Sequence, residues 1–177
     1  MELYTIGHST HPLDDFVGLL RRHDVARIVD VRIAPGSRRH PHFARDALAR
    51  TLPAAGIDYV HAQGLGGRRR PLPGSQNTGW RNNAFRGYAD YMGTGEFQAA
   101  LGELERLAGE RRTAVMCAEA LWWRCHRRLI SDALVARGRQ VTHIGSDGAL
   151  AAHVMTPFAV VEEGEVTYPE AEQQLEL

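Results

Sequence analysis

The sequence predicts an α/β fold: a mostly parallel open sheet with helices on both faces and a possible C-terminal hairpin. Three observations carry that expectation. Short apolar runs alternate with amphipathic helical patterns along most of the chain. The runs are largely apolar rather than strictly alternating, as strands buried on both faces are. Polar, chemistry-bearing residues follow three of the runs, at the carboxyl ends where such sheets bind ligands.

In chain order, Leu3 to Ile6 reads as the first strand, followed by the turn Gly7-His8-Ser9-Thr10. Pro12, Asp14 and Asp15 open a helix that turns Phe16, Leu19 and Leu20 inward. Ala26 to Val31 is the second strand, and a loop from Arg32 to Pro41 leads to a helix striped by Phe43, Ala47, Leu48 and Leu52 and closed near Gly56. Ile57 to His61 is the third strand. From Gly64 to Trp80 the apolar period is lost. This glycine-rich stretch, with Arg68-Arg69-Arg70, reads as the kind of long loop that forms lids, binding loops or disordered segments.

Phe85, Tyr88 and Tyr91 mark a helix over Asn83 to Met92, and Phe97, Leu101, Leu104 and Ala108 a second one. Thr113 to Cys117 is the fourth strand. Leu129, Ile130, Ala133 and Leu134 place a helix over about Arg124 to Arg137, closed by Gly138, before a strand at Val141 to Ile144. Phe158 to Val161 and Glu165 to Tyr168 flank Glu162-Glu163-Gly164 as a terminal hairpin.

Length and charge set bounds. The 177 residues fit one domain, with an appendage from about 150 to 177. Twenty-one basic residues balance 21 acidic ones, so no global field draws the chain to nucleic acid or an anionic membrane. All the basic residues are arginine, which excludes Schiff-base and lysine-nucleophile chemistry. The chain opens without a cationic region followed by an apolar stretch, and no run approaches a membrane span, so a cytoplasmic protein with reduced cysteines is expected.

Chemistry concentrates in Met116-Cys117-Ala118-Glu119 and Arg124-Cys125-His126-Arg127. Placed in a first helical turn, Cys125 and His126 would meet the unpaired N–H groups and dipole that favour an anion and lower a thiol pKa. As metal ligands these residues lack familiar zinc spacing, and no metal or cofactor is expected. As catalytic groups, Cys125 could be a thiolate nucleophile and Glu119 a base or nucleophile, with His126 carrying a proton. Alternatively both cysteines are small buried hydrophobes. His8 is read as functional. Ser9 suits either a helix cap or a ligand contact.

Asp30-Val31-Arg32 with Ser37, Arg38 and Arg39 sets a carboxylate beside guanidiniums suited to phosphate or carboxylate, or, more plainly, a structural ion pair among solvated arginines. Arg68-Arg69-Arg70, followed by Trp80, Phe85 and Tyr88, combines charge with rings that could stack on bases, unless those rings pack in the core.

Taken in order, Gly7-His8-Ser9, Asp30-Val31-Arg32 with Pro35 and Ser37, Leu65-Gly66-Gly67, Gly87-Tyr88-Ala89, Met116-Cys117-Ala118-Glu119 and Cys125-His126-Arg127 resemble the bacterial family named domain of unknown function 488. The resemblance runs from about residue 2 to about residue 145 and implies an α/β domain, without a substrate or a residue of demonstrated role.

The resulting expectation is an enzyme for an anionic, phosphate-bearing ligand, a nucleotide or nucleic-acid unit, attacked by hydrolysis or group transfer. Arg32, Arg38 and Arg127 would hold the anion, with Ser9, Ser37 and Tyr88 as further contacts. Asp30 and Glu119 would supply carboxylates, as at a glycosidic bond, His8 and His126 would move protons, and the 64–80 loop would close over the site. A thiol redox sensor built on Cys125 and Cys117, and a non-catalytic nucleic-acid binding module, are the rival readings.

Overall fold

Apolar strands flanked by amphipathic helices bury their surface best as a three-layer sandwich, and this chain does so. The computed structural model describes residues 1–170. Six strands, β1 (Glu2–Gly7), β2 (Arg27–Asp30), β3 (Asp58–His61), β4 (Thr113–Cys117), β5 (Gln140–Ile144) and β6 (Leu150–Ala152), form one sheet in the order β3-β2-β4-β1-β5-β6. Every pairing is parallel except β5 with β6. The helices are α1 (Leu13–Arg22), α2 (Arg45–Ala54), α3 (Asn83–Met92), α4 (Gly95–Glu110) and α5 (Arg127–Ala136). Strands β7 (Val160–Glu162) and β8 (Glu165–Thr167) make the expected antiparallel hairpin.

The period of two along each strand splits the core. Tyr4, Ile6, Ile28, Ala114 and Met116 meet Phe16, Val17 and Leu20 of α1 and Leu48 and Leu52 of α2 on one face. On the other face Leu3, Val29, Val115 and Val141 meet α3, α4 and α5. Phe16, Leu20, Leu48 and Leu52 have no exposed surface, and each such burial contributes about 1.5–3 kcal/mol.

Strand order decides where a site can form. The chain runs outward through β1, β2 and β3, then returns to insert β4 between β2 and β1 and continues past β1 to β5. That reversal leaves the carboxyl ends of β2, β4 and β1 side by side at a topological switch point, with Gly7 in register with Cys117 and Asp30 with Met116. Gly7 is required there, because a Cβ would lie 1.9 Å from the carbonyl oxygen of Glu119. The backbone N–H groups of His8 and Ser9 then donate to the carbonyls of Cys117 (2.9 Å) and Ala118 (3.0 Å).

Three local expectations need correction. A short turn, Trp122–Arg124, precedes α5, so Cys125 and His126 lie just before that helix and not in its first turn. Ser9 does not cap α1: Pro12 stands at that position without a side-chain cap, and Ser9 adopts φ +48° while its N–H reaches Ala118. The short edge strand β6 went unread, because Leu150-Ala151-Ala152 is exposed along its whole length and carries no period. Among the described residues no helix is long and apolar enough to cross a membrane.

Candidate functional site

A cleft of about 560 Å³ opens over the carboxyl ends of β2, β4 and β1. His8 and Ser9 line it from β1, and Arg32 and Ser37 from the segment after β2. Cys117 and Glu119 enter from β4, His126 from the start of α5, and Gly67 and Arg68 from the long loop. The structure thus gathers His8, Ser9, Arg32, Ser37, Glu119 and His126 of the expected set around one space. Asp30, Arg38, Tyr88, Cys125 and Arg127 do not line it.

Asp30 lies behind the cleft wall with no exposed surface. Its carboxylate accepts a forked pair from Arg32, Nε at 2.9 Å and Nη2 at 2.6 Å, together with the Arg32 N–H and the Tyr59 hydroxyl at 2.6 Å. Burial works against the Arg32 charge, yet Asp30 outweighs it and raises the guanidinium above its ordinary value. Burial and the same carboxylate hold the Tyr59 phenol protonated far above its usual range. The carboxylate expected to do chemistry is saturated, and the fork expected to hold a ligand is spent on it.

His8 completes this wall. Its ring stacks on Phe43 at 4.1 Å; Nδ1 lies 2.9 Å from the Ser9 carbonyl and Nε2 3.2 Å from Arg32 Nη1. A carbonyl only accepts and a guanidinium only donates, so the proton sits on Nδ1 and the Nε2 lone pair takes the Arg32 N–H. Burial, with Arg32 opposing a second positive charge, pushes the His8 pKa down to about 4. His8 orients Arg32 as a neutral ring with both nitrogens engaged.

The sulfur corner is different. Cys117 Sγ, Cys125 Sγ and a ring nitrogen of His126 all lie within 4.8 Å of one another. Cys125 Sγ is 3.6 Å from His126 Nδ1, and His126 Nε2 is 3.0 Å from the Val31 carbonyl. That carbonyl demands a proton on Nε2, so a neutral His126 turns the Nδ1 lone pair toward the sulfur. The Cys117 thiol donates to Cys125, which with His126 and Arg127 nearby pulls the Cys125 pKa well below that of an ordinary thiol against the cost of burial. The same bond, together with burial, raises Cys117. The backbone N–H of Glu119 is a further donor to Cys117.

Glu119 is exposed, and its Oε1 accepts the Leu121 N–H at 3.1 Å. Its carbonyl, with that of Ala120, is held by Arg127, which is 1% exposed and also donates to Thr5 Oγ1 at 3.3 Å. Arg127 therefore fixes the loop that forms the cleft floor and is not offered to a ligand. Behind it runs a chain that sequence reasoning missed. Thr5 Oγ1 meets His143 Nδ1 at 2.7 Å, His143 Nε2 meets His153 Nδ1 at 3.0 Å, and His153 Nε2 meets buried Asp132 at 2.8 Å. Burial, with His153 and Arg127 nearby, pushes His143 down to about 3. His153 shows no spacing signal in the sequence, because its partners come from β5 and α5.

The long loop is docked rather than free. Tyr88 donates to the Leu65 carbonyl at 2.7 Å, Tyr91 to Gly64 at 2.6 Å, and the Arg69 guanidinium lies 3.6 Å over the Tyr91 ring. Asp90 accepts from Leu72 N, Ser75 Oγ and Asn77 Nδ2. At Gly87 a Cβ would lie 2.4 Å from the Arg69 carbonyl, which explains the glycine that opens the Gly-Tyr-Ala run. Tyr88 is 1% exposed and Trp80 is packed among Phe85, Phe158 and Tyr168, so these rings belong to the core, not to a stacking surface. Only the Gly67-Arg68 tip reaches the cleft. Arg68 is exposed with φ +61°, an uncommon backbone for a non-glycine residue, and among the described residues nothing engages its guanidinium. The sequence marked Arg68 for nucleic acid, and the fold makes it the cleft's unpaired cation.

Compared with known families, the chain matches Domain of unknown function DUF488 over residues 12–134. No curated protein and no solved structure matches it.

Proposed function

The chain belongs to the DUF488 family, and from that premise we propose that it is an enzyme that binds a small anionic, phosphate-bearing ligand, a nucleotide or nucleic-acid unit, in the 560 Å³ cleft and subjects it to hydrolysis or group transfer. The observation that carries the reading is the pairing of an unengaged guanidinium, Arg68, with sulfur, imidazole and carboxylate groups at a switch point of a parallel sheet. Arg68 holds the anion, and the hydroxyls of Ser9 and Ser37 line its bed. Glu119 moves a proton, and the corner of Cys117, Cys125 and His126 supplies the reacting group.

The test is calorimetric or NMR titration with inorganic phosphate and with a nucleoside monophosphate. Saturable binding is expected, weakened about tenfold or more in Arg68→Ala, since one charge-assisted contact is worth about 1.5–3 kcal/mol. Absence of binding to either probe, or affinity unchanged in Arg68→Ala, sinks the reading.

A further inference from the structure

We propose that Cys117, Cys125 and His126 are the protein ligands of a zinc-class divalent metal ion whose remaining coordination position opens into the cleft. The use of that open position rests on the reading of the cleft as a reaction site; the binding of the metal does not.

Ligand chemistry comes first. Two thiolates and an imidazole are the donor set of a borderline-soft ion such as zinc, and a poor one for magnesium or calcium. Two thiolates also neutralise a divalent charge, so the filled site adds no net charge beside buried Arg127.

Geometry agrees. With Zn–S near 2.3 Å and Zn–N near 2.05 Å, the sulfur-to-nitrogen edge of a tetrahedron is about 3.6 Å. Cys125 Sγ and His126 Nδ1 stand 3.6 Å apart. The second sulfur closes a triangle in which every ligand atom is within 4.8 Å of the others, and among the described residues no further His, Cys, Asp or Glu joins it. Three protein ligands with a fourth position left open is the arrangement of catalytic zinc, not of a closed structural site. Cys117 and His126 both line the cleft, which sets the open side.

The surroundings support the ligands as metal sites require. His126 Nε2 faces the Val31 carbonyl at 3.0 Å, the arrangement that fixes the ring with Nδ1 free to ligate. The Glu119 N–H donates to the Cys117 sulfur and fixes its position beside Cys125 and His126. Gly67 gives the ring room, since a Cβ there would stand 3.0 Å from Nδ1. Cys-x-Glu followed by Cys-His lacks zinc spacing along the chain, but β4 and the turn before α5 bring the three atoms together across the sheet edge.

The experiment is titration of the full chain, freed of metal by chelator under reductant, with Co²⁺ and then Zn²⁺. Stoichiometric Co²⁺ should produce thiolate-to-cobalt charge transfer in the near ultraviolet and tetrahedral bands in the visible, both abolished by Zn²⁺. Cys125→Ser and His126→Gln should weaken binding by more than the about 100-fold that losing a supporting hydrogen bond costs at metal sites. Should either variant fail to fold, the wild-type chain decides: Zn²⁺ must protect both Cys117 and Cys125 from alkylation, read by mass. No charge-transfer band, or thiols that alkylate equally fast with and without Zn²⁺, overturns the proposal. Cobalt binding without phosphate binding would leave the metal site standing and remove the ligand reading of the cleft. Phosphate binding without cobalt binding would do the reverse.

Discussion

Two polar clusters share the carboxyl edge of the sheet and differ in what their atoms have left to give. Around Asp30, the carboxylate, the Arg32 fork, the Tyr59 hydroxyl and both His8 nitrogens are partnered to one another or to backbone. At the end of the neighbouring strand β4, the Cys117, Cys125 and His126 corner brings two sulfurs and a ring nitrogen within 4.8 Å of one another, with Cys117 and His126 on the cleft wall and Arg68 unengaged at the mouth. Residue type does not separate these clusters, since both hold a histidine and charged or ionisable neighbours. Satisfaction does: a saturated buried network specifies and stiffens the fold, whereas unspent donors and acceptors beside solvent are available for chemistry.

That contrast breaks most clearly at Asp30. Asp30→Ala strands a buried guanidinium and should cost about 3–5 kcal/mol in chemical denaturation, whereas Arg68→Ala should stay within about 0.5 kcal/mol. Equal effects would erase the distinction between a structural pair and a free cation.

Acid sharpens it next. His8, pushed to about 4, and His143, pushed to about 3, are held neutral in the fold, while in the unfolded chain they titrate near 6.5. Below pH 6.5 the unfolded chain therefore binds more protons, and their contribution to stability, complete above that value, is lost as pH falls toward 4 and 3. The slope is at most about 1.4 kcal/mol per pH unit for each ring. Denaturation midpoints measured from pH 7.5 to 4.5 should fall more steeply for the wild type than for His8→Gln; parallel curves would mean that His8 is not locked in the Asp30 wall.

The smallest effect is expected where the long loop meets α3. Tyr88→Phe removes the bond to the Leu65 carbonyl and should cost about 1 kcal/mol with cleft binding retained. Loss of phosphate binding in Tyr88→Phe, with stability unchanged, would return Tyr88 to the ligand and unseat it from the packing role.

Much of this architecture is legible in the chain because it is local. Phe16 and Leu20, or Leu48 and Leu52, repeat at helical spacing and bury one face whatever lies opposite, and Gly138 marks the end of α5 with φ +76°. The polar residues at strand ends are legible for the same reason, since they fall where the apolar period stops. Which arginine is left unpaired is not. Arg32, Arg38 and Arg127 look interchangeable with Arg68 along the chain, yet one is paired to Asp30, one is exposed without lining the cleft and one braces backbone carbonyls.

By itself, then, the sequence determined the class of fold, the order of its strands and helices along the chain save the short edge strand β6, the terminal hairpin and the segments that reach the carboxyl edge of the sheet. Only the tertiary structure decided that β4 enters between β2 and β1, that two sulfurs and an imidazole meet behind Gly67, and that Arg68 is left to face the cleft. The division has one cause. Periodicity and turn chemistry act over a few residues and are written in the chain, whereas whether a polar atom is satisfied depends on partners brought from distant segments by packing.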